Sequence, residues 1–238
     1  MHKTELHPDA VRLIRARRGG RLHVRESLDP ARAALVVVDM QTAFLKPGLP
    51  SEVPMARDIV PNINRLAAAF RAAGGTVVWV YTTFDDDIFA EWSSFLGGTV
   101  SPELAQRIVG QLRDGAEGHA LWPGMDVEDG DMRAVKRRFS AFIHGSSDIE
   151  DRLRARGVDT LAVTGTLTNV CCESTARDAM MRNFNVIMVS DGNATYTDAI
   201  HNASLTSMSI SFADVMTADQ VIGALTPIGS RIGAAAAE

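Results

Sequence analysis

Cys171 and Cys172 stand side by side and are the only thiols in a chain of 238 residues. They follow the apolar run "TLAVTG" and open the pattern "NVCCESTARDAMMRNF", whose apolar spacing reads as a helix. A thiol in the first turn of a helix meets unpaired N–H groups and partial positive charge. Those conditions favour thiolate over thiol. Two other reactive side chains end apolar runs elsewhere. Asp39 closes "AALVVVD", and Lys136 lies near the end of "MRAVKRR". A carboxylate can accept the proton of a thiol, and an ammonium beside both keeps the local charge tolerable, so the three types together make an activated nucleophile. Each has a plainer reading. Asp39 could cap the segment after it, Lys136 could belong to a solvated basic run with Arg137 and Arg138, and Cys171 could be a small buried hydrophobe.

The helix separates the two thiols. Cys172, Ala176 and Ala179 fall on one small apolar stripe, which is expected to pack against the sheet. Cys171 is turned about 100° from it and is expected at the mouth of a site. One thiol is then chemical and its neighbour is filler. The rival accounts are a vicinal disulfide and a redox sensor built on the pair.

The elements that must position these residues alternate. "AALVVVD" (Ala33–Asp39) and "TVVWVYTT" (Thr76–Thr83) are continuous apolar runs, as expected for strands buried on both faces. Between them "IVPNINRLAAAFRAAGG" has helical spacing and ends in a glycine C-cap. Met132–Arg138 reads as a third strand, "SSDIEDRLRARG" as a helix marked at both ends, and "TLAVTG" as a fourth strand. After the cysteine helix, "NVIMVSD" is a fifth strand, "DAIHNASLTSMSISF" a helix, "ADVM" a short sixth strand and "TADQVIGAL" a last helix capped by Thr217. This alternation predicts βαβ units: an α/β fold with a mainly parallel six-stranded sheet and helices on both faces. In such sheets ligands bind outside the carboxyl ends of the strands, which is where Asp39, Lys136 and Cys171 are all expected. Residues 84–131 carry one expected helix, around Pro102–Arg113, and otherwise loops. Residues 1–30 read as a basic N-terminal arm, 31–228 as a single domain and 229–238 as a flexible tail. The arm is rich in arginine and is expected to pack on a neighbouring subunit.

"LVVVDMQTAF", "VKRRFSAF" and "TGTLTNVCCESTARDA" resemble, in order and spacing, the signature blocks of the isochorismatase-like cysteine hydrolases. The resemblance spans about residues 33–215. It implies a three-layer α/β/α fold and a catalytic triad falling on Asp39, Lys136 and Cys171. It also implies a cis peptide between Thr166 and Leu167, and an oxyanion hole from the backbone N–H groups of Leu167 and Cys171. Metal-dependent nicotinamidases of the family carry an Asp and histidines soon after the second strand. Here that stretch is "YTTFDDDIFAEW", with Asp85, Asp86 and Asp87 and no histidine before His119, so no metal and no cofactor are expected. Family members that cleave a vinyl ether usually lack the cysteine. Its presence implies an amidohydrolase cleaving the C–N bond of a small amide, ureido or carbamoyl substrate through a thioester. The alternatives are an ether or ester hydrolase without a covalent intermediate, and a non-catalytic family member. The resemblance also implies a homodimer or homotetramer.

Phe44, Phe84, Trp92 and Phe142 are candidate pocket walls, and Asn169 a candidate helix cap or substrate contact. His144 and His201 lack ligand spacing and are expected to be structural. A net charge of −5 supplies no electrostatic reason for a nucleic-acid partner. No apolar run approaches the roughly 20 residues of a membrane helix, and the start lacks the apolar stretch of a secretory signal. Two thiols without CxxC spacing fit a reducing compartment, and the protein is expected to be cytoplasmic.

Overall fold

The computed structural model describes residues 1–225. The proposed tail, 229–238, lies outside the described residues. The strands are β1 (Ala33–Val38), β2 (Thr76–Thr82), β3 (Met132–Lys136), β4 (Thr160–Thr166), β5 (Asn185–Ala194) and β6 (Asp214–Met216). The helices are α1 (Pro8–Arg17), α2 (Thr42–Leu45), α3 (Val60–Ala73), α4 (Ile88–Glu91), α5 (Ser93–Leu96), α6 (Pro102–Gln111), α7 (Ile149–Ala155), α8 (Glu173–Met181), α9 (Asp198–Ser211) and α10 (Ala218–Ala224). The six strands form one sheet in the order β3-β2-β1-β4-β5-β6, and every neighbouring pair is parallel.

β1 lies inside the sheet with all six residues buried, which explains its unbroken apolar run. Successive residues point to opposite faces. Leu35 and Val37 join the core that includes Ile63, Leu66 and Phe70 of α3. Val36 and Val38 join the core that includes Leu153 of α7, Ala176 of α8 and Leu205 of α9. The buried face of α3, Ile63, Leu66, Ala67 and Phe70, has the i, i+3, i+4, i+7 spacing of a packed helix, and Gly74 ends it at φ 83°. β3 is one of the two edge strands and alternates buried and exposed residues. Val135 is therefore half exposed. Thr217 caps α10 with Gln220 in a reciprocal capping box.

The arginine-rich N-terminus does not project away. α1 packs on α9 of the same chain, with Ala10 and Ile14 buried at i, i+4 spacing. Arg18 binds the buried carboxylate of Asp214 on β6, whose other oxygen accepts the amides of Val24 and Arg25 at 2.8 Å each. Apolar spacing and a matched buried acid thus fold this arm against α9 and β6 of its own chain. Among the described residues no helix is long and apolar enough to cross a membrane.

Gly165 sets how closely β1 and β4 approach. Its φ is +115°, and a Cβ there would lie 2.0 Å from the carbonyl oxygen of Val38. Gly165→Ala is expected to cost about 3 kcal/mol or more in unfolding free energy, through strain and a backbone collision that no side-chain shift relieves. Gly110 in α6 has open space around it, and Gly110→Ala is expected to be neutral or to stabilise by about 0.5–1 kcal/mol. Denaturant melts of both variants check the contrast; equal stabilities would contradict it.

Candidate active site

The chain order β1-β2-β3 runs outward on one side of the sheet and β4-β5-β6 on the other, so the strand order reverses between β1 and β4. A crevice forms at such a switch point, beyond the strand ends. Asp39 follows β1 directly and adopts φ 53°, a left-handed conformation that Asp tolerates better than most residues. Its amide bonds to Val80 O at 2.9 Å. Cys171 follows β4 after a turn that starts at the cis peptide Thr166–Leu167. Residues Thr168–Cys172 wind as a single π-helical turn ahead of α8. Within it, the amides of Val170 and Cys172 both bond to Leu167 O at 3.1 Å.

Lys136 ends β3, two strands from β1. It reaches Asp39 across β2, a span of about 10 Å between strand axes that a long side chain can bridge. Its Nζ lies 2.9 Å from Asp39 Oδ2, donates to Thr82 Oγ1 at 2.6 Å and to Arg138 O at 3.1 Å, and sits 3.5 Å from Cys171 Sγ. Thr82 is the register partner of Lys136. Its hydroxyl, accepting from the ammonium, donates to Asp39 Oδ1 at 2.8 Å. Asp39 and Lys136 are fully buried and Cys171 is 4% exposed. The topology has therefore brought the three candidate residues together.

Cys172 is buried with Ala176 and Ala179, its sulfur 3.8 Å from Thr164 O. The two thiols are free and divide as the helical stripe requires. The electrostatics run against the thiolate expectation. Burial pushes the Cys171 thiol up to about 12; the Lys136 ammonium opposes this, while the charge of Asp39 and a hydrogen bond with it add to the rise. Burial works against the charge on Lys136, but Asp39 and Cys171 outweigh it and hold its pKa above the usual lysine value. The site favours a protonated thiol over the buried ion pair.

A cavity of about 290 Å³ opens above the sulfur. Phe44, Phe84 and Trp92 line it as expected, together with Leu167 and Tyr196. Phe142 does not. It is buried in the core against Phe184, with ring centroids 5.3 Å apart, and Phe139 lines the cavity in its place. The chain leaves β3 after Lys136, so strand alternation no longer governs which aromatic turns inward. Asn169 is exposed and accepts from Thr195 Oγ1 at 2.7 Å. It ties the turn that carries Cys171 to the loop after β5 and does not line the cavity. Asp85 pairs with Arg137 and Asp86 with Arg113. His201 is buried, bonded to Thr168 Oγ1 at 2.9 Å and stacked on His2 at 4.4 Å. Among the described residues no three or more His, Cys, Asp or Glu side chains are grouped to hold a metal ion.

Sequence reasoning passed over Gln41 and Thr82. The Gln41 side chain donates to Thr82 O at 3.1 Å and to His119 O at 2.8 Å, and accepts from Thr82 N at 2.8 Å. It locks the ends of β1 and β2 together under the ion pair. A buried polar residue two positions beyond a strand-end acid was the available signal. Lys136→Met leaves the Asp39 charge buried without its partner and is expected to cost about 3–5 kcal/mol in stability. Adding Asp39→Leu should restore much of that stability. Urea melts test both, and a single variant as stable as the parent would contradict the buried pairing.

The Isochorismatase domain model matches residues 33–220. Among curated proteins the chain is 32% identical over 218 residues to the ureidoacrylate amidohydrolase RutB of Methylobacterium radiotolerans, covering 83% of this chain and 82% of that one. Among solved structures it is similar to a cysteine hydrolase from Pseudomonas syringae pv. phaseolicola, with TM-score 0.74, 31% identity, and coverage of 83% of this chain and 94% of that one. It is also similar to the N-carbamoylsarcosine amidase of Thermoplasma acidophilum, with TM-score 0.61, 26% identity, and coverage of 79% and 97%. With the family domain matched over most of its length, and the expected sheet and strand-end site in place, this chain belongs to the isochorismatase family.

Proposed function

We propose that this protein is a cysteine-dependent amidohydrolase that cleaves the C–N bond of a small amide, ureido or carbamoyl substrate through a thioester on Cys171. The observation that carries this reading is the Lys136 ammonium, 2.9 Å from Asp39 and 3.5 Å from the Cys171 sulfur at the floor of one cavity. Two relatives whose names specify C–N hydrolysis support it.

The raised thiol pKa favours a nucleophile that is not preformed: in this reading the thiol proton passes to Asp39 as the sulfur attacks the carbonyl carbon. The carbonyl oxygen takes the negative charge and is held by the N–H groups of Leu167 and Cys171; one such donor is worth on the order of 3 kcal/mol. The C–N bond then breaks, and Asp39 returns the proton to the departing nitrogen, which leaves as ammonia or an amine. Asp39, again a carboxylate, deprotonates a water that attacks the thioester. The acid is released and Cys171 recovers its proton. Lys136 stays an ammonium throughout. It prevents Asp39 from becoming an isolated buried charge and stabilises sulfur as it becomes anionic.

Cys171→Ala is expected to lower turnover by roughly a thousandfold or more, and Cys172→Ala by less than about tenfold, because only the first removes the nucleophile. Intact mass after rapid quenching should show an acyl adduct in the wild type and none in Cys171→Ala. Comparable losses in the two variants, or turnover without an adduct on Cys171, would contradict the thioester route. The resting thiol supplies a pH test. With the pKa raised, thiolate becomes scarcer at every neutral pH, so alkylation by iodoacetamide at pH 8 should be roughly a hundredfold or more slower than for a free cysteine. The rate should still be climbing at pH 10. An inflection near 8.5 would show an ordinary, unburied thiol.

A further inference from the structure

The wall of the cavity is an aromatic cluster. Trp92 packs on Phe95 with centroids 4.8 Å apart and edge-on to Phe139 at 4.7 Å, while Phe95 and Phe139 meet at 5.0 Å. Helix α6 adds Leu104 and Ile108. A cavity of about 150 Å³ lined by apolar side chains accepts benzene, so about 290 Å³ has room for a ring together with an amide group.

The polar groups lining this space are largely engaged already. Lys136 is neutralised by Asp39. The guanidinium of Arg138 lies 5.3 Å from the centroid of Trp92. It donates to Arg137 O at 2.9 Å and to Glu91 O at 3.1 Å, and the Glu91 carboxylate is 3.7 Å away. Asp85 and Glu91 together offset Arg137 and Arg138. Ser51 accepts from Gln111, and the Thr82 hydroxyl serves the ion pair. A substrate carboxylate entering here would shed its water and meet no uncompensated cation, which is costly. An apolar ring would meet aromatic edges and faces.

We infer that the site selects uncharged amides or ureas whose carbonyl bears an apolar ring or branched chain, and discriminates against substrates carrying a carboxylate. This rests on the amidohydrolase reading above and narrows its substrate class. Arg138 acts as a positioning residue: it braces Trp92 and the C-terminal end of α4, and it does not receive an anion.

Binding to the Cys171→Ala variant separates recognition from chemistry. Titration calorimetry is expected to show phenylacetamide binding at least tenfold more tightly than maleamate, an amide that carries a carboxylate. Leu104→Trp in the same background places an indole in the cavity and should weaken phenylacetamide at least tenfold. Leu104 is half-buried, and Ile108→Phe supplies a second variant with the same expected direction should the first not fold. Equal affinities for the two amides would overturn the inference. So would tighter maleamate binding that disappears in Arg138→Gln, or phenylacetamide binding unchanged by both cavity-filling variants. Failure of the amidohydrolase reading has a different signature. Acylation of wild-type Cys171 by maleamate and not by phenylacetamide would sink the substrate class and keep the mechanism. Selective phenylacetamide binding with no acylation by either amide would sink the mechanism and keep the pocket's preference.

Discussion

A carboxylate and an ammonium, both without solvent exposure, lie 2.9 Å apart beneath a thiol. Neither could stay charged there alone, because removing an ion from water costs several kcal/mol even after relaxation. Each is tolerated because the other is present and because Thr82 supplies an acceptor for one and a donor for the other. Gln41 in turn holds Thr82 through its backbone N–H and C=O. The sheet satisfies these demands by geometry. β1, β2 and β3 are neighbours in parallel register, so an acid after the first, a hydroxyl at the end of the second and an amine at the end of the third meet at the same edge of the sheet.

The magnitudes explain why burial at this site favours thiol over thiolate. A helix N-terminus contributes about 0.3–1 kcal/mol to a nearby anion, less than one pKa unit at 1.36 kcal/mol per unit. Full burial can shift a group by 3–5 units. The ion pair acts on the sulfur in opposite directions, since Lys136 lowers the thiol pKa and Asp39 raises it, and burial is the largest effect. Burial therefore favours Cys171 as a neutral group in the cavity. In the proposed mechanism, that suits proton transfer and carbon–sulfur bond formation occurring together.

The cavity is assembled from parts remote in sequence. Phe44 comes from α2, Phe84 and Trp92 from the segment around α4, Leu104 and Ile108 from α6, Phe139 from the loop after β3, and Tyr196 from the loop after β5. The N-terminal segment supports this region from behind. The His2 ring stacks on His201 and bonds to the backbone of Thr195, while His201 bonds to Thr168 in the turn that carries Cys171.

Strand and helix order, the parallel sheet and the placing of Asp39, Lys136 and Cys171 at strand ends were legible in the sequence. Each depends on short-range pattern: unbroken apolar runs such as Ala33–Val38, helical spacing such as that of α3, and caps such as Gly74 and Thr217. The different surroundings of Cys171, which lines the cavity, and Cys172, which packs with Ala176 and Ala179, were legible for the same reason, as a matter of helical phase. Which aromatic residue turns into the cavity was not, because Phe139 and Phe142 lie in a loop whose path is set by Ser140, Ser146 and Thr175 through hydrogen bonds to its backbone. Nor was the fate of the basic arm, which depends on Asp214 some two hundred residues away, or the protonation of Cys171, which depends on burial by residues from many segments. Periodicity travels along the chain and can be read one turn at a time. Burial and charge compensation are sums over neighbours in space, and only the folded chain determines which residues those neighbours are.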